Sequence, residues 1–257
     1  MPDEPLLRVQ HASVRFGSVH AVEAASLDLW PGEVVAIVGE SGSGKTTLLR
    51  AIAGRVPLAG GDVHYRSGAQ WRSIPRLPER ERRALMRSEW GFVEQHAHEG
   101  LRMAVSAGAN IAERPMDGGV RRYEDLRHTA LDWMRRVELD PSRIDDTPRS
   151  FSGGMRQRLQ IARNLVSRPK LVLLDEPTAA LDVSVQARLL DLLRGLVEGL
   201  GLAALIVTHD LGVARLLAQR TLVMKGGRIV EQGLTDRVLD DPQHPYTQLL
   251  VSSVVAA

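Results

Sequence analysis

A chain of 257 residues with 44% hydrophobic side chains can bury the core of one large α/β domain, and its formal net charge of +2 is too small to favour nucleic acid as a partner. The absence of cysteine excludes a disulfide framework, a thiol nucleophile and a cysteine-based metal site, and it favours a reducing cytoplasm. No apolar run approaches 18 residues, and the N-terminus lacks a signal-peptide pattern, so we expect no direct membrane insertion.

The first segments of the chain predict strands. Apolar residues alternate loosely over residues 6–16, and residues 22–29 lead into the turn Trp30-Pro31-Gly32-Glu33. We therefore expect an antiparallel sheet edge here. The continuous apolar run over residues 34–38 then predicts a buried strand.

A glycine-rich loop follows that strand and precedes the helix-forming residues 48–53. Its glycines let successive backbone N–H groups turn toward one anion at the positive end of a helix, as in the motif G-x-x-x-x-G-K-[ST]. Lys45 would reach the β- and γ-phosphates of a nucleotide, and the Thr46 hydroxyl would bind Mg²⁺. The predicted nucleotide-binding residues are Gly39, Glu40, Ser41, Gly42, Ser43, Gly44, Lys45, Thr46 and Thr47.

The next part of the chain contains two predicted strands and a basic piece between them. Gly54 is a C-cap signal for the first helix, and residues 61–65 return as a strand. Between residues 66 and 90 seven arginines meet three glutamates, with a short helix predicted over 79–88. This piece indicates either a solvated helix face or a surface for an acidic or phosphate-bearing partner. A further strand is predicted over residues 90–94.

The pattern of apolar residues changes after residue 95. Runs of β-branched residues disappear, and five apolar residues recur at helical spacing: Leu126, Ala130, Trp133, Met134 and Val137. We predict one domain over residues 1–257, with a core at 1–95 and 166–257 and a mainly helical insert at about 96–165.

Strands and helices alternate in the last third of the chain. Ser152 is placed to N-cap a helix over residues 153–167. Gly226-Gly227 suits a hairpin turn between two strands. The predicted strands are 170–175, 203–207, 221–225 and 228–231, and the predicted helices are 184–200 and 211–218. This alternation predicts a mostly parallel sheet covered by helices, with a nucleotide at the carboxyl ends of its strands.

Two carboxylates end the apolar strand Leu171-Val172-Leu173-Leu174. Asp175 would hold Mg²⁺, and Glu176 could accept a proton from, or orient, the water that attacks the γ-phosphate. Paired acids also occur in surface turns, so this pair gains its meaning from the motifs around it.

Three further motifs carry a family resemblance: Phe151-Ser152-Gly153-Gly154-Met155-Arg156-Gln157-Arg158, Ala180-Leu181-Asp182 and Val207-Thr208-His209-Asp210. Together with the glycine-rich loop and the paired acids, they resemble the ATP-binding-cassette (ABC) family over the whole chain. The resemblance implies an α/β fold of the ABC-type P-loop NTPase, with a RecA-like core, an antiparallel β edge and a helical insert subdomain. It also implies an ATPase that uses ATP and Mg²⁺.

The same resemblance implies roles for single residues. Gln95 would touch Mg²⁺ and report to the helical insert, His209 would contact the γ-phosphate, and Phe16 would stack on adenine. Catalytic roles are therefore expected for Glu176, His209 and Gln95, and metal ligation is expected for Thr46, Gln95 and Asp175.

A second anion-binding end is expected at Ser152, Gly153 and Gly154, since a hydroxyl and two small residues stand at a helix start. In the family this signature segment completes the site of a second ABC subunit, so two chains, identical or different, enclose two ATP molecules head to tail. Asp182 would communicate across that dimer. Phe151 stands where Leu is usual and Met155 where Gln is usual, so the contacts of this helix are expected to be specialised.

Two classes of partner compete within the family. The tail over residues 241–250 resembles the extension of peptide and nickel importer ATPases, which favours a membrane importer. Residues 95–114, 150–165, 182–196 and 249–255 resemble ATP-binding subunits of carbon-phosphorus lyase systems, which dock on soluble lyase core subunits in phosphonate breakdown. We favour the lyase core as the partner of residues 96–116, because cassette proteins couple hydrolysis to their partners beside Gln95. A translation or DNA-repair cassette is disfavoured by the single cassette and the short insert.

Overall fold

The computed structural model describes residues 4–179 and 181–255; residues 1–3 and 256–257 lie outside the described residues, as does Ala180 of the motif Ala180-Leu181-Asp182. The described strands are β1 (Leu7–Phe16), β2 (Val19–Leu29), β3 (Val34–Val38), β4 (Gly60–Ser67), β5 (Gln70–Ser73), β6 (Trp90–Val93), β7 (Leu171–Asp175), β8 (Ala203–Thr208), β9 (Arg220–Lys225) and β10 (Arg228–Leu234). The described helices are α1 (Lys45–Ile52), α2 (Glu79–Ser88), α3 (Ala97–Gly100), α4 (Ala107–Asp117), α5 (Tyr123–Arg136), α6 (Gly153–Leu165), α7 (Val183–Leu200), α8 (Leu211–Leu217), α9 (Thr235–Asp240) and α10 (Pro245–Val255).

The chain divides into two compact units. The first unit comprises residues 1–82 and 201–257, and the second comprises residues 83–200. The predicted core and insert have their boundaries at 95 and 165, where the pattern of apolar residues changes, and that division stays a prediction. None of the helices within residues 4–179 and 181–255 is long and apolar enough to cross a membrane.

The first unit contains a sheet with the strand order β2-β1-β4-β5. β1 and β2 pair antiparallel from Leu7 opposite Leu29 to Phe16 opposite Val19, which confirms the predicted antiparallel edge. β1 buries Leu7, Val9, Ala12 and Val14, since one face of the strand covers the core. β5 lies outside the predicted strands because its sequence Gln70-Trp71-Arg72-Ser73 has no apolar alternation.

The same unit holds the strands β10, β9, β3 and β8 in that order. β3 pairs parallel with β8 and β9, and β9 turns at Gly226-Gly227 into antiparallel β10, as predicted. All residues of β3 and β8 are buried, which is typical of strands covered on both faces. Because Val38 lies opposite Thr208, the following residues Gly39 and His209 start from the same edge of the sheet.

The second unit combines helices with the parallel strands β6 and β7, both of which the sequence predicts as strands. In the register Val93 lies opposite Leu174, so the residues that follow both strands start from one edge. Helices α4, α5 and α6 pack on one another. Four of the five apolar residues predicted on one helix face are buried, and Leu126 is half-buried.

Candidate active site

The phosphate-binding loop joins β3 to α1 along a path that requires glycine at two positions. Gly39 has a φ of 151° and Gly44 a φ of 101°. A Cβ atom on Gly39 would lie 2.2 Å from the carbonyl oxygen of Met224, and one on Gly44 would lie 2.3 Å from that of Ala21. Both distances are well inside van der Waals contact, so the loop lies directly against the backbones of β9 and β2.

Lys45 is the buried charge of this loop. Its side chain is held inside the loop, where Nζ donates to the carbonyl oxygen of Gly39 at 2.8 Å and to that of Glu40 at 2.7 Å. The helix α1 begins at Lys45, so the N–H groups of its first turn point out of the helix end. An ammonium group and a helix N-terminus therefore meet in one loop, which is the chemistry that binds phosphate.

Two further predicted residues of the first unit are exposed. Phe16 ends β1 with 53% of its surface exposed, which leaves its ring accessible for stacking. His209 follows β8, and the backbone around it is fixed because Asp210 N–H donates to the Thr208 hydroxyl at 3.0 Å and Asp210 Oδ1 accepts from Gly212 N–H at 2.8 Å. Asp210 thereby caps α8 and leaves the His209 side chain exposed at the edge of the sheet.

The second unit brings two predicted catalytic residues into contact. Gln95 Nε2 donates to Glu176 Oε2 at 3.3 Å, although the residues are 81 positions apart in the chain. Glu176 has a φ of 41°, in the left-handed region that a residue with a side chain rarely adopts. Such backbone strain persists only where the surrounding structure maintains it, and strained residues cluster at functional sites.

The donor set for a metal ion consists of oxygen atoms. Asp175 ends β7 and is completely buried at 0% exposure, and a buried carboxylate is costly unless it is paired or binds a cation. Thr46 in the first unit and Gln95 in the second unit are the other ligands that the family resemblance implies, and their hydroxyl and amide oxygens are donors of the hard type that Mg²⁺ prefers. Mg²⁺ in nucleotide sites takes its remaining ligands from phosphates and water. The chemistry of each implied ligand therefore fits Mg²⁺.

The signature segment begins α6 as predicted. Ser152 Oγ accepts from the N–H of Met155 at 3.3 Å, which is the expected N-cap. A Cβ atom on Gly154 would lie 2.6 Å from Val185 Cγ1, so this glycine allows α6 to approach α7. Gly153 is exposed and its added Cβ would meet only Leu181 at 3.8 Å, so the Ser152 end of the helix is accessible.

Asp182 immediately precedes the neighbouring helix α7. Its carboxylate accepts from Val185 N–H at 3.0 Å and from the Ser184 hydroxyl at 2.8 Å. These hydrogen bonds, first that of Val185 and then that of Ser184, hold the pKa of Asp182 below its usual range. The carboxylate is therefore ionised at neutral pH and acts as a helix cap, alongside the inter-subunit role that the family resemblance implies.

Arg143 contacts both departures from the usual signature sequence. Its guanidinium lies 4.5 Å from the ring centroid of Phe151, and its Nη1 lies 3.6 Å from the sulfur of Met155. Asp146 binds Arg143 Nε at 2.7 Å and orients it. Both residues that depart from the usual signature therefore contact one arginine, which the spacing of the motif does not reveal. That the contacts of this helix are specialised stays a prediction.

Gln160 is a second residue that sequence motifs do not reveal. It is fully buried on α6, where its Oε1 accepts from the N–H of Glu94 at 2.5 Å and its Nε2 donates to the carbonyl oxygen of Glu94 at 3.2 Å. Glu94 immediately precedes Gln95. The signature helix therefore holds the backbone from which Gln95 reaches Glu176.

Replacing this clamp, Gln160→Leu, is expected to lower the free energy of unfolding by about 2 to 4 kcal/mol, because leucine cannot bind the two backbone groups of Glu94. Urea unfolding measures the change. Gln10→Leu, on an exposed position of β1, is the matched control and should cost less than about 0.5 kcal/mol. An equal loss in both variants would show that the clamp contributes nothing specific to stability.

Comparison with known proteins gives two family matches. Residues 22–179 match the family described as ABC transporter, and residues 230–257 match the one described as oligopeptide/dipeptide transporter, C-terminal region. The chain is 61% identical to the putative phosphonates utilization ATP-binding protein PhnK of Escherichia coli (strain K12), over 98% of this chain and 99% of that protein. It is 37% identical to the glutathione import ATP-binding protein GsiA of the same strain, over 99% of this chain but 42% of that protein.

Solved structures agree with these matches. A dimeric ATP-binding cassette in a post-hydrolysis state, bound to ADP and Pi, has a TM-score of 0.80 and 29% identity, covering 89% of this chain and 98% of that one. The protein cbiO1 of Clostridium perfringens, part of the ABC transporter complex cbiONQ, has a TM-score of 0.80 and 26% identity, covering 93% and 92%. The predicted fold class is confirmed, and the chain belongs to the ATP-binding cassette family of ATPases.

Proposed function

We propose that this protein hydrolyses MgATP as a head-to-tail dimer with a second ABC subunit, and that it acts in the cytoplasm as an accessory subunit docked on the soluble carbon-phosphorus lyase core. The observation that carries the catalytic proposal is the 3.3 Å contact of Gln95 with Glu176, since it joins the expected sensor of the γ-phosphate to the expected base. The 61% identity to a phosphonates utilization ATP-binding protein supports the partner.

The first unit supplies the groups that bind the nucleotide. Lys45 binds the β- and γ-phosphates, and the exposed ring of Phe16 stacks on the base. The N–H groups at the start of α1 surround the phosphates. The loop residues proposed for this role are Gly39, Glu40, Ser41, Gly42, Ser43, Gly44, Lys45, Thr46 and Thr47.

Hydrolysis requires a base, a sensor of the γ-phosphate and a metal. Glu176 orients the attacking water and accepts its proton, Gln95 holds the Glu176 carboxylate, and His209 donates to the γ-phosphate. Thr46, Gln95 and Asp175 would hold Mg²⁺, which neutralises charge on the β- and γ-phosphate oxygens when bound.

A second subunit completes each site in this proposal. Ser152 Oγ and the small residues Gly153 and Gly154 form an accessible helix start for the γ-phosphate of the other subunit. The dimeric state of a cassette with 29% identity supports this arrangement. Asp182 caps α7 beside that helix start and would carry the contact between subunits.

The proposed partner surface comprises residues 96–116. Asn110 is fully buried and organises this surface, because its Oδ1 accepts from Arg102 N–H at 2.8 Å and its Nδ2 donates to the carbonyl oxygens of Arg102 at 3.1 Å and Ser106 at 3.0 Å. The Arg102 side chain is 60% exposed. The run Leu101-Arg102-Met103 in this surface contains residue types typical of interface anchors, such as arginine and methionine. Leu101 is only 6% exposed, so the proposed anchor comprises Arg102 and Met103.

A membrane importer is the alternative function, and one observation favours it. Residues 230–257 match the C-terminal region of oligopeptide/dipeptide transporters, and the chain is similar to GsiA. In that case the partners would be a pair of permeases. The co-purifying proteins distinguish the two functions, since they are soluble lyase subunits in one and membrane permeases in the other.

Substitution of Glu176 should affect turnover, whereas substitution of Lys45 should affect ATP binding. Glu176→Gln should retain ATP affinity and lower kcat by about 10²- to 10⁴-fold, because it removes the base and keeps the phosphate loop. Lys45→Ala should weaken ATP binding about tenfold to a hundredfold, because a charge-assisted hydrogen bond is worth about 1.5 to 3 kcal/mol. Titration calorimetry and phosphate release measure both, with Lys170→Ala as the control. Full turnover by Glu176→Gln would rule out this base.

The signature segment should be required for dimerisation. In the Glu176→Gln background, ATP and Mg²⁺ should produce a dimer by light scattering, and adding Ser152→Arg should prevent it, because arginine fills the space beside Gly153 and Gly154. Ser142→Arg, at another exposed serine of the same unit, is the control and should leave the dimer intact. A dimer that tolerates Ser152→Arg would place the signature outside the interface.

The partner surface can be tested without changing the nucleotide site. The double variant Arg102→Glu with Met103→Glu should abolish capture by lyase core subunits and growth on a phosphonate as the sole phosphorus source, because it leaves charge unpaired in the interface. Basal ATP hydrolysis should stay within about twofold of the wild-type rate, since Arg102 is exposed, Met103 is half-buried, and neither residue belongs to the proposed nucleotide site. Arg122→Glu with Tyr123→Glu is the matched control. Binding of wild-type protein to permeases and not to the lyase core would favour the importer.

A further inference from the structure

The C-terminal segment of the chain returns to the phosphate loop. After α9, residues 241–244 turn the chain, and α10 begins at Pro245. Tyr246, in the first turn of α10, is 7% exposed, and its hydroxyl accepts a hydrogen bond from the N–H of Glu40 at 2.9 Å. These residues are 206 positions apart and belong to the same compact unit.

The same peptide group contacts Tyr246 and Lys45. The N–H of Glu40 and the carbonyl oxygen of Gly39 belong to one planar trans peptide, so they point in opposite directions. The N–H donates to the Tyr246 hydroxyl at 2.9 Å, and the carbonyl oxygen accepts from Lys45 Nζ at 2.8 Å. The orientation of this peptide therefore fixes one of the two carbonyl oxygens that hold the Lys45 ammonium.

This peptide needs support from outside the loop because it follows a glycine. Gly39 has a φ of 151°, and glycine rotates more freely than any other residue. A hydrogen bond at the N–H end restricts rotation of the whole peptide group, since the group is rigid. Tyr246 supplies that bond from a helix that is itself anchored.

Several contacts anchor Tyr246. Lys225 Nζ lies 4.6 Å from the centroid of the Tyr246 ring. The backbone N–H of Tyr246 donates to His244 Nδ1 at 3.1 Å. The Glu231 carboxylate on β10 accepts from the N–H of Gln243 at 2.8 Å and of His244 at 3.0 Å. Burial opposes ionisation of Glu231, but the hydrogen bonds that it accepts leave its pKa below the usual value. An ionised Glu231 thus holds the turn that precedes Tyr246.

We propose that Tyr246 is a positioning residue for ATP binding: its hydroxyl orients the Gly39-Glu40 peptide, and through it Lys45, so that the C-terminal segment supports the phosphate loop. This inference rests on the proposed role of Lys45 in binding phosphate. It assigns a function within the nucleotide site to a segment that lies beyond the matched cassette residues 22–179.

The test is Tyr246→Phe in the full chain, since phenylalanine keeps the ring and its contact with Lys225 and removes only the hydroxyl. The Kd for ATP should rise about three- to tenfold, as expected for one hydrogen bond, while kcat at saturating ATP stays within about twofold. Tyr123→Phe, on an exposed tyrosine of the second unit, is the matched control and should leave the Kd unchanged. An unchanged Kd for Tyr246→Phe, or a loss confined to kcat, would overturn the proposal.

A double-variant cycle separates positioning from a general structural effect. In the Lys45→Ala background, Tyr246→Phe should no longer weaken ATP binding, because the peptide has no ammonium to orient. The same fold-loss in both backgrounds would overturn the coupling to Lys45. If Lys45→Ala alone leaves ATP affinity unchanged, the proposed phosphate site itself fails; if only Tyr246→Phe has no effect, the phosphate site stands and this inference fails.

Discussion

The close approach of the loop over residues 39–44 to two strand backbones is the constraint on which the proposed nucleotide site depends. At Gly39 the carbonyl oxygen of Met224 in β9 leaves no room for a side chain, and at Gly44 the carbonyl oxygen of Ala21 in β2 leaves none. β2 and β9 belong to different sheets of the first unit, so both sheets must be in place before the loop takes this path. The hairpin turn joins them, because Gly227 N–H donates to the Ser43 carbonyl oxygen at 3.0 Å and its carbonyl oxygen accepts from Glu23 N–H at 2.8 Å.

The helix α6 has the corresponding role in the second unit. Its N-cap is the signature Ser152, Arg143 contacts Phe151 and Met155 at its start, and its buried Gln160 holds the backbone beside Gln95. One rigid helix therefore connects the surface proposed to meet a second nucleotide with the residue that contacts Glu176. A displacement of this helix would move the backbone beside Gln95, since buried hydrogen bonds in a close-packed interior transmit movement better than solvated ones.

The importer hypothesis and the lyase hypothesis rest on different parts of the chain, namely the C-terminal residues 230–257 and the proposed partner surface over residues 96–116. The C-terminal match to transporters favours an importer when it is read as a partner motif. If Tyr246 supports the phosphate loop, as proposed above, the same segment serves the nucleotide site and is compatible with either partner. Partner identity then depends on exposed residues such as Arg102, whose side chain is 60% exposed beside a loop held by the buried Asn110.

The sequence by itself determined the family, the strand-loop-helix order of the phosphate site and most of the elements, because these depend on short-range patterns such as the glycine spacing of residues 39–44 and the N-cap at Ser152. Only the tertiary structure decided which residues support the site. Gln95 reaches Glu176 across 81 positions, Gln160 reaches Glu94 across 66 and Tyr246 reaches Glu40 across 206. It also decided that Leu101 is buried. Contacts of this kind leave no local periodicity, since their geometry exists only after distant strands and helices have packed together.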